Sequence, residues 1–345
     1  MSLRFRATPR TGPSDRSHPS DLAIGPLAGS TTVWFDSVAV LENGRMTERL
    51  LYSDLTGVVR ARLSERRPAI CGLALDQPRI MGILNVTPDS FSDGGQFDAL
   101  ESAVKRAAEM AQSADILDIG GESTRPGAAY VPVAEEIRRT APVIRAIRAA
   151  GITAPISIDT RKAAVAAAAL DAGAEMVNDV SGLTHDPAMA ALVAAAQVPV
   201  CVMHAQGDPA TMQDAPRYDD VVWDVFSWLE NRIAAATKAG IRRENIIIDP
   251  GIGFGKTLQH NLSILQQLSL YHDLGSPILL GASRKRFIGT IGGAAQTSDR
   301  MPGSVAVALH GAAQGVQILR VHDATETRQA LSLQQAVNGT TGHDA

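Results

Sequence analysis

The 345-residue sequence predicts an α/β protein, a (β/α)8 TIM barrel preceded by an N-terminal extension. Three observations support this fold class. From residue 80 onward, short apolar runs alternate with longer segments of helical periodicity, which is the pattern of parallel strands covered on both faces. Eight such strand–helix units are present, as many as this barrel requires. Polar residues gather directly after the apolar runs, where the active sites of such barrels lie.

Each predicted strand is a short apolar run that is followed by a predicted helix. The strands are predicted at residues 80–86, 116–119, 156–159, 176–179, 200–203, 246–249, 278–281 and 318–321. Asp98 and Glu101 form a capping-box pattern that starts the first helix. The other helices are predicted at residues 132–150, 162–172, 187–196, 218–239, 261–268, 303–314 and 325–337. A doubly wound sheet is the alternative, but Gly-x-Gly-x-x-Gly is absent after the first strand.

The sequence divides into an N-terminal extension, residues 1–75, and a barrel, residues 76–340. Residues 1–25 are polar and contain several prolines, so we expect them to be disordered. Asn43-Gly44 is a strong hairpin-turn signal after an apolar run, which predicts a β-hairpin near residues 31–50. Two interpretations of the whole extension stay open, an accessory strand layer or a plug under the barrel.

Composition and charge exclude several classes of function. The formal net charge of −4 provides no basic surface for nucleic acid. No apolar run is long enough to span a bilayer, so no membrane partner is expected. Cys71 and Cys201 are the only cysteines, too few for a disulfide framework or a zinc site, and this favours a reducing cytoplasm.

The most informative segment, ILNVTPDSFSDGG at residues 83–95, follows the first apolar run. It places Asn85 and several hydroxyl and carboxylate groups around one aromatic residue, Phe91. A buried strand that leads into a polar, glycine-ended loop is how α/β enzymes position functional groups. After the second strand, the loop GGESTRPG carries Thr124 and Arg125, which can bind an anion because a guanidinium matches phosphate or carboxylate oxygens. The alternative is a turn whose arginine contacts only solvent.

Carboxylate and amide groups follow three further strands. Asp159 ends the third strand, Asn178 and Asp179 end the fourth, and Asp249 ends the sixth. Such a set suits a ligand with several N–H donors and ring acceptors. The alternative is that the carboxylates cap helices, but three of them at strand ends make capping an incomplete explanation.

Basic residues follow the last two strands. In ASRKRF, after the seventh strand, we expect at least Lys285 to point into the mouth of the barrel. The eighth strand ends in RVHD, and alternation places Arg320 and His322 on the same side. Two cations there could bind a diphosphate, since barrel phosphate sites often lie near strands seven and eight.

Two other motifs are rejected. Residues 251–257 end in Gly-Lys-Thr, as a P-loop does, but Pro250 stands where that motif needs glycine, which excludes nucleotide hydrolysis. We expect these glycines to place Phe254 over a flat ligand. The other histidines considered, His204, His260, His272 and His310, lack metal-ligand spacing, and among these four only His204, directly past the fifth strand, keeps a candidate role.

These motifs occur in the order found in dihydropteroate synthases, and residues 80–337 resemble that bacterial folate-pathway family throughout. The resemblance implies a pterin-binding TIM barrel, usually a homodimer, and a transferase that sulfonamides inhibit. Such an enzyme condenses 6-hydroxymethyl-7,8-dihydropterin diphosphate with p-aminobenzoate to give 7,8-dihydropteroate and diphosphate. It also implies Mg²⁺ as cofactor, bound by Asn85 and phosphate oxygens. The long extension is the one departure from the compact family form.

The resemblance further implies roles for individual residues, with Arg125, Asp159 and Lys285 as the catalytic ones. The pterin would be bound by Asp159, Asn178, Asp249, Lys285 and Arg320. The diphosphate would be bound by Asn85, Thr124, Arg125, Arg320 and His322. The p-aminobenzoate would be bound by Phe91, Arg125, Pro126, Phe254 and Ser283.

Two other functions stay open at this point. A pterin-dependent methyltransferase domain shares the barrel and the carboxylate–amide edge, but it depends on a corrinoid partner. A non-catalytic pterin-binding paralogue is the second. The complete set Asn85, Arg125, Lys285 and His322 argues against it.

Overall fold

The structure is a computed structural model that describes residues 3–12, 23–86, 96–123, 130–207 and 212–340. Four of the predicted site residues, Phe91, Thr124, Arg125 and Pro126, lie outside these ranges. Within the described ranges, no helix is both long and apolar enough to cross a membrane.

The N-terminal extension forms a four-stranded antiparallel sheet and one helix. Its elements are β1 (Leu3–Thr11), β2 (Gly25–Pro26), β3 (Val33–Glu42), β4 (Arg45–Leu51) and α1 (Gly57–Ser64). Strand β3 pairs with each of the other three. The turn between β3 and β4 falls at Asn43 and Gly44, whose φ angles of 50° and 78° fit a two-residue hairpin turn.

Strand β1 overturns the expected disorder of residues 1–25 where the chain is described. It pairs with β3 along its length, and its other edge meets the barrel. There the Phe5 N–H donates to the Asp273 carboxylate at 3.0 Å, and the Ser269 hydroxyl donates to the Ala7 carbonyl at 2.8 Å. The strand's partners come from distant parts of the chain, so its local composition of arginine and proline did not reveal it.

The remaining strands form the predicted barrel, each within one residue of its predicted bounds. They are β5 (Arg79–Asn85), β6 (Ile116–Gly120), β7 (Ile156–Asp159), β8 (Met176–Asp179), β9 (Val200–Met203), β10 (Ile246–Asp249), β11 (Leu279–Leu280) and β12 (Ile318–Val321). All pair in parallel, in the order β10-β9-β8-β7-β6-β5-β12-β11. A bridge between Ile248 and Ile278 joins the two end strands and closes the ring.

The helices surround the barrel between these strands. They are α2 (Gln96–Met110), α3 (Val133–Ala149), α4 (Ala163–Asp171), α5 (Met189–Ala196), α6 (Val221–Lys238), α7 (Leu258–Gln266), α8 (Arg286–Gly292), α9 (Met301–Ala313) and α10 (Ala324–Val337). Two predictions were wrong here. Helix α2 is already helical at Gln96, two residues before Asp98, where the capping-box pattern started it. Helix α8 was not predicted, because seven residues with two glycines give little periodicity.

The lower end of the barrel is closed by residues of the extension. Ile70 and Leu73 exchange two backbone hydrogen bonds of 3.0 and 2.8 Å, which form a small loop under the strands. The side chains of Ile70 and Leu75 are buried there among apolar residues of the barrel interior, namely Met81, Ile116, Met176, Cys201, Ile247, Leu279 and Ile318. The extension thus contains both a strand layer and a plug.

Candidate active site

Charged side chains from opposite walls of the barrel meet at its mouth. Arg320 of β12 donates from Nε to the Asp118 carboxylate and from Nη2 to the Asp159 carboxylate, each at 2.6 Å. Asn178 of β8 donates to the same Asp118 carboxylate at 3.2 Å. Four strands, β6, β7, β8 and β12, therefore contribute to one polar network.

Asp118 is the central residue of this network, and it is not among the site residues predicted from the sequence. It lies within the run Ile-Leu-Asp-Ile-Gly of β6 and is fully buried. The signal was present, because a lone carboxylate inside an otherwise apolar strand must face a partner or a ligand. The predicted site residues stand at or after the ends of strands, whereas Asp118 lies inside its strand.

Buried oxygen atoms in the mouth lack partners among the described residues. They are one carboxylate oxygen each of Asp118 and Asp159 and the Ser157 hydroxyl. Buried polar atoms of native proteins are nearly always hydrogen-bonded, so unpaired acceptors in a concave site indicate where a ligand's donors would bind. The mouth is suited to a flat, polar molecule with several N–H groups.

Burial and neighbouring charges shift the ionisation of this network. Burial raises the pKa of Asp159 to about 7; Arg320 opposes this shift, and Asp118 adds to it. For Arg320, burial alone would lower the pKa, but the Asp118 and Asp159 carboxylates outweigh burial and raise it. Arg320 is therefore a permanent cation, whereas Asp159 can gain or lose a proton near neutral pH.

Asp249 and Lys285 extend the network on the other side of Arg320. A Cβ on Gly281 would lie 3.4 Å from the Asp249 carboxylate, so a larger residue there would crowd it. Burial lowers the pKa of Lys285 to about 7, although the Asp249 carboxylate acts to raise it. Lys285 Nζ donates to the Ile252 carbonyl and lies 4.3 Å from the centre of the Phe254 ring.

Arg320 and His322 have different partners in the structure. Arg320 is directed to the carboxylates of β6 and β7, whereas His322 interacts with Ser283 after β11. The Ser283 hydroxyl accepts from the His322 backbone N–H at 3.2 Å and lies 3.0 Å from its ring Nδ1. The carboxylates of β6 and β7 thus engage Arg320 in place of the predicted paired anion clamp.

Asn85 ends β5 at the rim of the same mouth. Its side-chain oxygen would lie 3.6 Å from a Cβ built on Gly120, whose other neighbour is Asp159. Asp179, by contrast, is not part of the site. It accepts from the backbone N–H groups of Ser181 and Leu183 and from the Ser181 hydroxyl, so it orders the loop after β8. It caps no helix, because α5 begins only at Met189.

Comparison with known proteins agrees with this site. Residues 81–322 match the family of pterin-binding enzymes. The chain is 47% identical over 265 residues to the dihydropteroate synthase of Escherichia coli, a match that covers 76% of this chain and 93% of that protein.

Two solved structures extend the comparison. A Xanthomonas albilineans dihydropteroate synthase with 4-aminobenzoic acid is 50% identical, with a TM-score of 0.72 over 77% of this chain and 94% of that one. A Yersinia pestis dihydropteroate synthase in a sulfonamide drug complex is 43% identical, with a TM-score of 0.73 over 79% of this chain and 99% of that one.

The barrel, its buried carboxylate–arginine mouth and the family match together define a pterin-binding enzyme. The sequence identity to dihydropteroate synthases is close to one half over most of their length, and this identifies the family within the class. The chain belongs to the dihydropteroate synthase family, whose members are transferases.

Proposed function

We propose that the chain condenses 6-hydroxymethyl-7,8-dihydropterin diphosphate with p-aminobenzoate, yielding 7,8-dihydropteroate and diphosphate. The observation that carries this proposal is the set of buried, unpaired acceptors around Arg320 at the mouth. A pterin presents an amino group and a ring N–H on one edge, beside a carbonyl oxygen. Carboxylates can accept from those donors, and an amide can both donate and accept.

In this proposal the pterin lies between two walls of the mouth. Asp159, Asn178 and Asp249 face its hydrogen-bonding edge, and Lys285 supplies a donor for its carbonyl oxygen. The Arg320 guanidinium is held in place by two carboxylates and offers a flat face on which the ring can stack.

The diphosphate would be bound at the rim by Asn85, Thr124, Arg125 and His322. Mg²⁺ would be held at this end by the Asn85 side-chain oxygen, which lies at the rim near Gly120 and Asp159. A site with one amide oxygen suits a hard cation that takes its other ligands from substrate phosphates and water. When bound beside Asn85, the ion would neutralise negative charge on the leaving diphosphate.

The p-aminobenzoate would lie beside Phe254 and Ser283, with Phe91, Arg125 and Pro126 from loops outside the described residues. Sensitivity to sulfonamides, which mimic this substrate, belongs to the same proposal. It is supported by the likeness to the Yersinia pestis enzyme in its sulfonamide complex.

The reaction needs no strong base. The bond between the exocyclic pterin carbon and the diphosphate oxygen breaks, and the bond to the uncharged arylamine nitrogen forms, after which that nitrogen loses a proton. The electron-rich pterin disperses positive charge that develops on its carbon. Asp159 supports that charge electrostatically from the position where Arg320 holds it.

A homodimer and a cytoplasmic location complete the proposal. Leu333 and Val337 of α10 are 64% and 78% exposed, and an apolar helix face of this kind could pack against a second copy. Both cysteines are free thiols, in keeping with a reducing compartment.

The direct test incubates the purified protein with pterin diphosphate, p-aminobenzoate and Mg²⁺ and follows dihydropteroate by chromatography. We expect product that disappears with EDTA, and at least a roughly tenfold lower turnover for Arg125→Ala and for Lys285→Ala. Normal rates in both variants would exclude the assigned roles. Pterin binding without turnover would favour a non-catalytic paralogue, and turnover only with a corrinoid partner would favour a methyltransferase.

A further inference from the structure

The lysine of the rejected P-loop motif is one of the most deeply buried charged residues in the described chain. Lys256 is 3% exposed and lies directly after the glycine-rich turn that follows β10. Burial lowers its pKa well below the ordinary value, with Lys285 acting in the same direction. Burying an amine costs free energy unless its hydrogen bonds are satisfied, so the position needs an explanation.

The amino group of Lys256 is fully hydrogen-bonded at the centre of the turn. It lies 2.9 Å from the Gly251 carbonyl, 3.1 Å from the Phe254 carbonyl and 2.8 Å from His204 Nδ1. The His204 carbonyl oxygen, 3.4 Å away, is a fourth acceptor, so every N–H of this amino group has a partner. His204 is itself buried, and its ring packs edge-on against Trp228 with centroids 5.0 Å apart.

The turn around this amine has a shape that few sequences allow. Gly251 has a φ of 70°, and a Cβ there would lie 1.8 Å from the His204 carbonyl oxygen. Its backbone therefore packs directly on the loop after β9. Because the carbonyls of Gly251 and Phe254 turn inward to Lys256, the Ile252 carbonyl between them remains for another donor, and that donor is Lys285.

We propose that Lys256 is a positioning residue for the pterin site. Its amino group holds the turn at residues 251–254 in the shape that sets the Ile252 carbonyl and the Phe254 ring against Lys285. Lys256 itself lies behind the turn and acts through it. The inference rests on the proposed function, because it assigns importance to the placement of Lys285 at the pterin edge.

The test compares Lys256→Met, which keeps the length of the side chain but has no donors, with the unaltered protein. Two ligands are titrated: 6-hydroxymethyl-7,8-dihydropterin without its diphosphate, and inorganic diphosphate with Mg²⁺. We expect the Kd for the pterin and the KM for pterin diphosphate to rise about tenfold or more. The Kd for inorganic diphosphate should stay within about twofold, because its proposed ligands lie at other strand ends.

Tyr218→Phe is the matched control. The Tyr218 hydroxyl donates to the Gly255 carbonyl of the same turn at 2.8 Å, but it does not bond to Gly251 or Phe254. This variant should bind the pterin within about twofold of the unaltered protein. A general loosening of the loop would instead weaken pterin binding in both variants, and a general loss of folding would weaken both ligands together.

A second pair of variants keeps the inference testable if Lys256→Met does not fold. His204→Asn places an amide oxygen near the position of Nδ1, whereas His204→Leu removes the acceptor, and both lose the packing on Trp228. We expect weaker pterin binding for leucine than for asparagine. Equal pterin affinity for this pair, or a folded Lys256→Met that binds pterin normally, overturns the inference. Absence of turnover in the unaltered protein overturns the proposed function instead.

Discussion

The two ends of the barrel are built from the same strands but bury opposite kinds of side chain. At the mouth, Asp118, Asp159 and Arg320 are buried together, and two of their oxygen atoms have no partner among the described residues. At the lower end, Ile70 closes a core that is entirely apolar. Burial of apolar side chains at the lower end stabilises the fold. Burial of charges at the mouth costs free energy, but it arranges those charges for a ligand.

Strand geometry explains how one strand serves both ends. Residues two positions apart face the same side of a strand and lie about 6.6 Å apart along it. On four strands the residue of the lower core is therefore followed, two positions later, by a residue of the mouth: Ile116 and Asp118, Met176 and Asn178, Ile247 and Asp249, Ile318 and Arg320.

The largest expected effect comes from removing the cation of the mouth. Arg320→Met leaves two buried carboxylates without their counter-charge, so the free energy of unfolding at pH 7 should fall by about 3–5 kcal/mol. Denaturant titration measures this change. In the double variant with Asp118→Asn, one of those charges is gone and part of the stability should return, while turnover stays low. If Arg320→Met is as stable as the unaltered protein, the two buried carboxylates do not need Arg320 as a counter-charge.

A substitution at the lower end should reduce stability without reducing activity. Ile70→Ala opens a cavity in a fully buried core, which should lower the free energy of unfolding by about 3 kcal/mol. The kcat of the folded enzyme should not change, since the cavity lies at the end away from the mouth. Val58→Ala on the exposed face of α1 is the control and should change neither quantity. A large drop in kcat for Ile70→Ala would show that the two ends are coupled.

The combined contribution of Asp159 and Lys285 to stability should be smallest near pH 7. Asp159 has its pKa raised from 3.8 to about 7, so its stabilisation is complete below pH 3.8 and is lost as the pH rises through 7. Lys285 has its pKa lowered from 10.5 to about 7, so its stabilisation is present above pH 10.5 and is lost as the pH falls through 7. Asp273, under β1, has its pKa raised to about 6 and adds to the acid side.

Two variants separate the arms of this minimum. Asp159→Asn should reduce the fall in stability between pH 4 and pH 7, to which Asp249 and Asp273 also contribute. Lys285→Met should reduce the fall between pH 10 and pH 7, to which Lys256 also contributes. The lowered pKa values of His204 and His272 act in the opposite sense below pH 6.5, so each variant is compared with the unaltered protein at every pH. Denaturant titrations between pH 4 and pH 10 (about one pH unit apart) measure the profile. Unchanged slopes in both variants would place the pH dependence outside the mouth.

The smallest expected effect lies in the extension. The Thr56 hydroxyl accepts from the Val59 N–H at 3.4 Å and caps α1. Thr56→Ala should lower the free energy of unfolding by about 1 kcal/mol, and Thr56→Ser should restore most of it. Turnover should be equal in all three proteins, because this helix packs on the extension and on residues 268–274, and not on the mouth. A change in turnover would assign the extension a catalytic role.

Sequence patterns predicted the parts of the molecule whose determinants are local. Each barrel strand is a continuous apolar run because both of its faces are covered, and such runs are visible without knowledge of the fold. The positions of Asp159, Asn178, Asp249 and Lys285 at the mouth were predicted for the same reason, since each of these polar residues stands at or just after the end of an apolar run.

The parts that were missed depend on contacts between distant residues. The local sequence does not explain a carboxylate at Asp118 in an apolar strand, because its partner Arg320 is 202 positions away. Lys256 looks like a fragment of a nucleotide-binding motif until His204 is known to face it. Strand β1 looks disordered until β3 and the barrel cover its two edges.

The docking of β1 also sets an order of events during synthesis. This strand leaves the ribosome before β3, which follows soon after, but the carboxylate that accepts from the Phe5 N–H lies 268 residues further along the chain. At about 5–20 residues per second, that edge of the strand waits roughly 15–50 s for its partner. Throughout this interval it is an open strand edge of a nascent chain, available to other chains and to chaperones. The residues of β1 are thus translated before the whole barrel, but they reach their final position only after residues 269–273 have been made.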